Sequence, residues 1–168
     1  MKWKMLSAIL LLPGNVLVVI PALLLWATKD TRFSWQYSQP QDYQFWFGIL
    51  LALPGIGMSI WTSRLFLTKG EGTPAPWDPP RKLVVQGPYC YVRNPMITGV
   101  ITMLCAEAIF LQSWPLLAWG ALFFLGNAIY FPFMEEKGLE KRFGDSYLDY
   151  KRNVPRWIPR MTPWYPNK

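Results

Sequence analysis

Histidine is absent from all 168 residues, and that one gap removes several chemistries at once. Without an imidazole there is no Ser-His-Asp hydrolysis, no histidine general base and no histidine-ligated zinc. Cysteine is nearly as scarce. Cys90 and Cys105 are too few for a four-thiolate metal site or a disulfide framework, and no metal is expected. Charge is thin too: 16% of residues are charged against 52% apolar, which lies outside ordinary soluble composition. What the chain does hold is ten Trp, sixteen Pro and a basic surplus, 17 Lys and Arg over 10 Asp and Glu, for a net charge of +7. Such a surplus suits nucleic acid or an anionic membrane surface, and the placement of the charges decides between them.

Charge-free runs partition the chain. Met5 to Ala27 is 23 residues without a charge, Phe45 to Ser63 is 19, and Pro95 to Met134 is 40 interrupted only by Glu107. A helix rising about 1.5 Å per residue crosses a bilayer core in about 20 residues, so the first two runs read as single spans and the third as two. The third run must turn, and Gln112-Ser113-Trp114-Pro115 is its natural corner, since Pro is tolerated in a first helical turn and Trp favours the interface. The expected spans are about 5–27, 45–67, 96–111 and 115–134. A soluble bundle would need a polar face on each helix, and these runs have none.

Lys2 and Lys4 precede the first span; Arg64, Lys69, Arg81, Lys82 and Arg93 lie between the second and third; eight more follow Met134. Fifteen of the 17 basic residues thus fall on one side of a four-span chain, the exceptions being Lys29 and Arg32. The positive-inside rule puts that side, with both termini, in the cytoplasm. No cleaved signal peptide is expected, because the first apolar run is too long and no small-x-small site follows it. Charges that flank spans meet anionic headgroups, so no nucleic-acid partner is expected. The fold expected is an all-α integral membrane protein, a single membrane domain over 1–168, with four transmembrane helices, a Pro/Gly-rich cytoplasmic loop over 69–80 and a cytoplasmic amphipathic C-terminal helix from Glu135 to about Tyr150. On that helix Leu139, Phe143 and Tyr147 recur on one face, and Gly138 and Gly144 are the places where it would break.

Two clusters can carry chemistry. The first, Gly87 to Gly99, reads GPYCYVRNPMITG. Its Gly-Pro and Asn-Pro steps force extended backbone just before a helix, leaving unpaired N–H groups beside Arg93. Such an end suits an anionic or zwitterionic ligand group; the same residues also fit an interfacial entry turn with tyrosine anchors and a snorkelling arginine. The second cluster is Glu135-Glu136, directly after an uncharged run, where two carboxylates need either solvent or a cation. Glu107 is the one charge inside a span and reads either as functional or as lying near the outer interface. The Trp residues at 26, 35, 46, 61, 114 and 119 read as interface belts.

The order GPYCYVRNPMITG, a helical hairpin, the acidic pair, and FGDSYLDYKRNVPRWIP resembles the isoprenylcysteine carboxyl methyltransferase and phospholipid methyltransferase families of integral-membrane enzymes. Their pattern runs Gly-x-Tyr, Arg-His-Pro-x-Tyr-x-Gly, a hairpin, an acidic pair, and Phe-Gly-x-x-Tyr-x-x-Tyr, and the match covers 81 to about 160. The resemblance implies S-adenosylmethionine bound on the cytoplasmic side between segments 81–99 and 131–160. Carried over by position, Arg81, Lys82, Leu83, Val84, Gly87, Tyr89, Arg93, Asn94, Pro95, Met96, Ile97 and Gly99 line it, with Glu135 and Glu136 closing the site. Three departures stand out: the pattern's His is Asn94, its later Tyr is Ile97, and the arginine that prenylcysteine enzymes place one turn before the acidic pair is Phe131.

Methyl transfer from a sulfonium needs orientation and a dry pocket and no covalent nucleophile. An amine acceptor must lose a proton, for which Glu136 or Glu107 is the candidate, while Arg156 is the candidate to replace the cation lost at Phe131. The expected activity is methyl transfer to a lipid-soluble acceptor, isoprenylcysteine-like or phospholipid/amine-like, entering from the bilayer of a prokaryotic plasma membrane. The alternatives are a nicotinamide-dependent membrane reductase sharing Arg-His-Pro-x-Tyr-x-Gly and a membrane interaction protein without chemistry. Acceptor identity and oligomeric state stay open.

Overall fold

The computed structural model describes residues 13–73 and 78–166. The start of the first expected span, Lys2, Lys4, the centre of the Pro/Gly-rich loop and Lys168 lie outside those residues. All regular structure among the described residues is helical. Helix α1 is Asn15–Thr28, α2 is Tyr43–Thr68, α3 is Pro95–Phe110 and α4 is Trp114–Tyr130. A π-helical turn, Phe131–Glu135, carries α4 without a break into α5, Glu136–Phe143, and α6 is Asp145–Asn153. Two of these runs are long and apolar enough to cross a bilayer: α2, and α4 through α5 as one 30-residue helix, Trp114–Phe143. Helices α1 and α3 are apolar but shorter. Leu50, Leu53, Leu122 and Ile129 are each more than 60% exposed, as suits side chains whose solvent is lipid rather than water.

Within the single membrane domain expected, the chain sorts into two compact units. One comprises Met1–Gly57 and Gly99–Leu125. Its hairpin turns where the sequence places the corner: Gln112 takes a φ of 46°, the Ser113 N–H bonds to the Ala108 carbonyl at 2.9 Å, and Pro115 falls in the first turn of α4. Leu104 of α3 and Leu116 of α4 are each 1% exposed. Helices α2 and α3 approach through small residues, since a methyl on Gly55 would lie 3.0 Å from the Gly99 carbonyl oxygen. The Gln36 and Ser38 N–H groups donate to Leu111 and Phe110 carbonyls at 3.1 and 2.9 Å. The α1–α2 connection therefore meets the α3–α4 turn.

The other unit comprises Met58–Thr98 and Gly126–Lys168. Its core is Val85, Cys90, Tyr147, Tyr150 and Val154, with Leu83, Leu139, Phe143 and Trp164 packed against it. The spaced Leu139, Phe143 and Tyr147 thus share a buried face, but they do so from two helices. Gly144 breaks the expected 135–150 helix at a φ of 53°, a left-handed conformation that glycine adopts without steric cost. Gly138 does not interrupt the helix. The expected end of the fourth span at 134 is also not a helix end. Pro132 has no N–H to give the carbonyl one turn back, and the wider π turn absorbs the missing bond so that winding continues to Phe143. Beyond α6 the chain runs back along residues 90–93 as an extended strap. Arg93 N–H bonds to the Pro155 carbonyl at 2.9 Å, Arg160 N–H to Tyr91 at 3.0 Å and Trp164 N–H to Cys90 at 3.0 Å.

Candidate active site

The approach to α3 is built by backbone constraints. After extended Gln86, Gly87 turns at a φ of 58°, and a side chain there would strike the Trp61 ring at 3.0 Å. A single 3-10 turn, Gly87–Cys90, then sets Tyr89 and Cys90 inward. The Cys90 thiol faces the Val85 carbonyl at 3.5 Å, and burial pushes its pKa up, so it is a packing group and not a reactive thiolate. Asn94 precedes Pro95, and its carbonyl accepts both the N–H and the hydroxyl of Thr98, at 3.1 and 3.0 Å. The Asn-Pro step thus starts α3 as expected, and the N–H groups of Met96 and Ile97 have no helical acceptor.

Inside this unit, residues of the loop, α3, the π turn, α5 and α6 enclose a cavity of about 240 Å³. Of the cofactor residues expected from sequence, Lys82, Leu83, Val84, Tyr89, Arg93, Asn94, Met96, Ile97 and Glu135 line it, and so does Phe131. Arg81, Gly87, Pro95, Gly99 and Glu136 are not on its wall. Arg81 is exposed and hydrogen-bonds through its backbone to Gly70; Gly87 and Pro95 shape the chain around it; Gly99 and Glu107 belong to the other unit. The wall also includes Phe66, Pro79, Pro80, Leu139, Arg142, Phe143, Tyr147 and Tyr150. Of these, Phe143, Tyr147 and Tyr150 are the fixed letters of Phe-Gly-x-x-Tyr-x-x-Tyr. Leu139 shares the recurring apolar face with Phe143 and Tyr147, while Phe66, Pro79, Pro80 and Arg142 come from elements whose approach no local pattern announces.

Glu136 turns away from the cavity into a nest of cations. It is 3% exposed. Its Oε1 receives Arg156 Nε at 2.6 Å and Arg93 Nη1 at 3.0 Å, and its Oε2 receives Lys151 Nζ at 3.1 Å. Lys151 also reaches Glu140 at 2.6 Å. Hydrogen bonds to Glu140 first and Glu136 second push the Lys151 pKa up, and the bond to Glu136 does the same for Arg156. Arg156 therefore folds back onto the acidic pair and stops short of the cavity. Arg93 Nη1 also approaches the Tyr147 hydroxyl at 3.4 Å. The Tyr150 hydroxyl donates to the Tyr89 carbonyl at 2.8 Å. Burial raises the pKa of both phenols, Tyr147 and Tyr150, so each stays neutral at working pH.

Two donors stand out: Asn94 Nδ2 and Arg93 Nε are buried, belong to wall residues and have no hydrogen-bond partner among the described residues. A buried donor left unmet is costly, and a ligand acceptor is its natural complement. At the cavity margin Arg142 Nη1 donates to the Pro80 carbonyl at 3.0 Å, and Lys82 pairs with Glu71, tying loop to wall. No group of three or more potential metal ligands occurs among the described residues.

A family model described as phospholipid methyltransferase matches residues 43–146, from α2 to the first turn of α6. No curated protein matches the chain.

Proposed function

The chain belongs to the phospholipid methyltransferase family of membrane methyltransferases, and from that premise we propose that its cavity holds S-adenosylmethionine for methyl transfer to a lipid-soluble acceptor at the cytoplasmic face. The observation that carries the proposal is the pair of unmet donors, Asn94 Nδ2 and Arg93 Nε, on an otherwise largely apolar and aromatic wall. They fit the carboxylate or hydroxyl oxygens of such a cofactor, and the carboxylate of Glu135 fits its cationic part. When bound, the cofactor supplies an electrophilic methyl on a positively charged sulfur.

The chain's own residues orient and desolvate. Phe66 and Tyr89 stack with ring centroids 5.3 Å apart on one side of the cavity, and Leu83, Val84, Met96, Ile97 and Leu139 exclude water. Low polarity around the reacting groups favours a step in which charge leaves sulfur. Where the acceptor is an amine, Glu135 is the wall carboxylate available to take its proton. Glu136 is engaged by three cations and acts as a positioning residue for Arg93.

Phe131 shapes the acceptor choice. It lines the cavity, with its ring 6.0 Å from Trp157 and 6.1 Å from Tyr130. An aromatic wall there favours a neutral or amine-like reacting group over a free carboxylate, in keeping with an aminophospholipid acceptor. Arg156, committed to Glu136, does not supply the missing anchor.

The test is equilibrium binding of S-adenosylmethionine to the purified chain in detergent, measured against reduced nicotinamide dinucleotide phosphate. The methyl donor is expected to bind, with Glu135→Gln weakening it by about 1–3 kcal/mol, the scale of a hydrogen bond to a charged group. Preference for the dinucleotide identifies a reductase; binding of neither identifies a protein without this chemistry. Methyl incorporation into phosphatidylethanolamine against farnesylated cysteine then reads the acceptor, and efficient esterification of the cysteine overturns the inference from Phe131.

A further inference from the structure

The strap that follows α6 takes no part in the cavity, yet it is both fixed and apolar. Three backbone hydrogen bonds hold it to residues 90–93. Even so, Ile158 is 81% exposed, Met161 96% and Tyr165 65%. Side chains of this size held in the open by a fixed backbone present apolar area that a second surface can cover. Its position indicates which surface. The Trp157 ring lies 6.0 Å from that of Phe131, at the point where the apolar α4 ends. Side chains at that level meet the boundary between acyl chains and headgroups. Its charge is equally one-sided: beyond Asp149 the sequence contains Lys151, Arg152, Arg156, Arg160 and Lys168 and no acidic residue. Arg152 is exposed, and Arg160, which bonds to the Asn153 carbonyl at 2.9 Å, is partly exposed.

We propose that this strap, Val154 to Pro166, together with the last turn of α6, is a docking surface for anionic lipid, with Ile158 and Met161 of the strap entering the acyl boundary while Arg160 of the strap and Arg152 of α6 engage the headgroups. Juxtamembrane basic residues are attracted to an anionic leaflet within about a Debye length. Since the strap is bonded to the segment bearing Arg93, lipid docking also steadies one wall of the cavity. The inference stands apart from the cofactor assignment, because its readout needs no catalysis.

The experiment places an environment-sensitive fluorophore at position 161, by Met161→Cys in a Cys105→Ala background, with Cys90 buried and unlabelled. The full chain is reconstituted in nanodiscs of phosphatidylcholine alone or of phosphatidylcholine with phosphatidylglycerol. The expected result is blue-shifted emission, quenched by acyl-brominated lipid, in the anionic discs only, reversed by high salt. Arg152→Gln is expected to lower the docked-to-free ratio about fivefold. The salt arm retains every arginine and so decides the question even where that variant fails to fold. A water-like probe in both discs overturns the proposal and leaves the apolar side chains to a protein partner. An equally apolar, salt-insensitive probe in both discs overturns it as well, because headgroup charge is then irrelevant.

Discussion

Arg93, at the entry to α3, and Glu136, at the start of α5, meet at 3.0 Å with side chains only 9% and 4% exposed. Lys151 and Arg156 converge on the same carboxylate from α6 and the strap. One buried anion therefore ties the strap to three segments of the cavity wall, the α3 entry, α5 and α6, and it orients a cation whose Nε is left for a ligand.

Removing that anion should be felt as instability before it is felt as chemistry. Glu136→Gln leaves Arg93 buried beside two further cations, and breaking a buried pair in this way costs about 3 kcal/mol or more. The expected outcome is a lower melting temperature in detergent together with faster tryptic cleavage of the strap at Arg156 and Arg160. A variant as stable and as protease-resistant as the parent would show that the cluster holds nothing in place.

Asn94→Ala should separate binding from stability. The amide nitrogen has no partner among the described residues, so deleting it removes an unmet buried donor and leaves the melting temperature unchanged or slightly raised. Cofactor affinity should fall by about 1 kcal/mol, the net worth of one hydrogen bond. Titration calorimetry and thermal melting on the same sample check both halves. A loss of stability without a loss of affinity would make Asn94 a structural residue.

Alkali should unfold this protein through its buried phenols. Burial raises the Tyr150 pKa above its unfolded value of about 10, so the stability linked to the neutral phenol is complete below that pH and is lost as pH rises through the folded pKa. Tyr150→Phe should be less stable near neutrality by about 1 kcal/mol, having lost the bond to the Tyr89 carbonyl. Above about pH 10 it should lose melting temperature less steeply than the parent. Parallel slopes in a pH series would remove Tyr150 as the titrating group.

The hydrogen bonds from Gln36 and Ser38 to the α3–α4 turn join the Lys29–Asp42 connection to that turn, as the expected four-span arrangement requires. Reporter fusions in that connection and at the C-terminus should report opposite compartments. The same compartment for both would overturn the four-span arrangement and the cytoplasmic placement of the cavity.

How much of this was legible in the sequence depends on what each residue obeys locally. Charge-free length marks α2 and the α3–α4 hairpin, and Pro115 marks the corner, because a bilayer span and a first helical turn both have local requirements. The acidic pair misleads as a span end: Glu135 and Glu136 look like a solvated terminus, yet the helix passes through them to Phe143. Gly144, one of two marked glycines, makes the break because only there does the backbone take a positive φ. At the site, Lys82 to Val84 and Arg93 to Ile97 are found through their motif, and all but Pro95 reach the cavity. Phe66, Pro80 and Arg142 are not, since their part in the wall comes from tertiary approach alone. Glu135 is expected at the site and lines the cavity; the turn of Glu136 away from it was hidden, because adjacent residues point in different directions only once the helix around them is known.

That direction is governed by counting. The π turn Phe131–Glu135 holds one residue more than an α turn, and each residue advances a helix by about 100°. Were the same residues wound as an ordinary helix with none removed, everything after the turn would be rotated by about that angle. Glu136 would then no longer point at Arg93, although neither residue had been altered. Deleting one residue as the turn closes would largely restore the bearing, so a swap of whole helices between relatives succeeds only where turn type and residue tally are changed together.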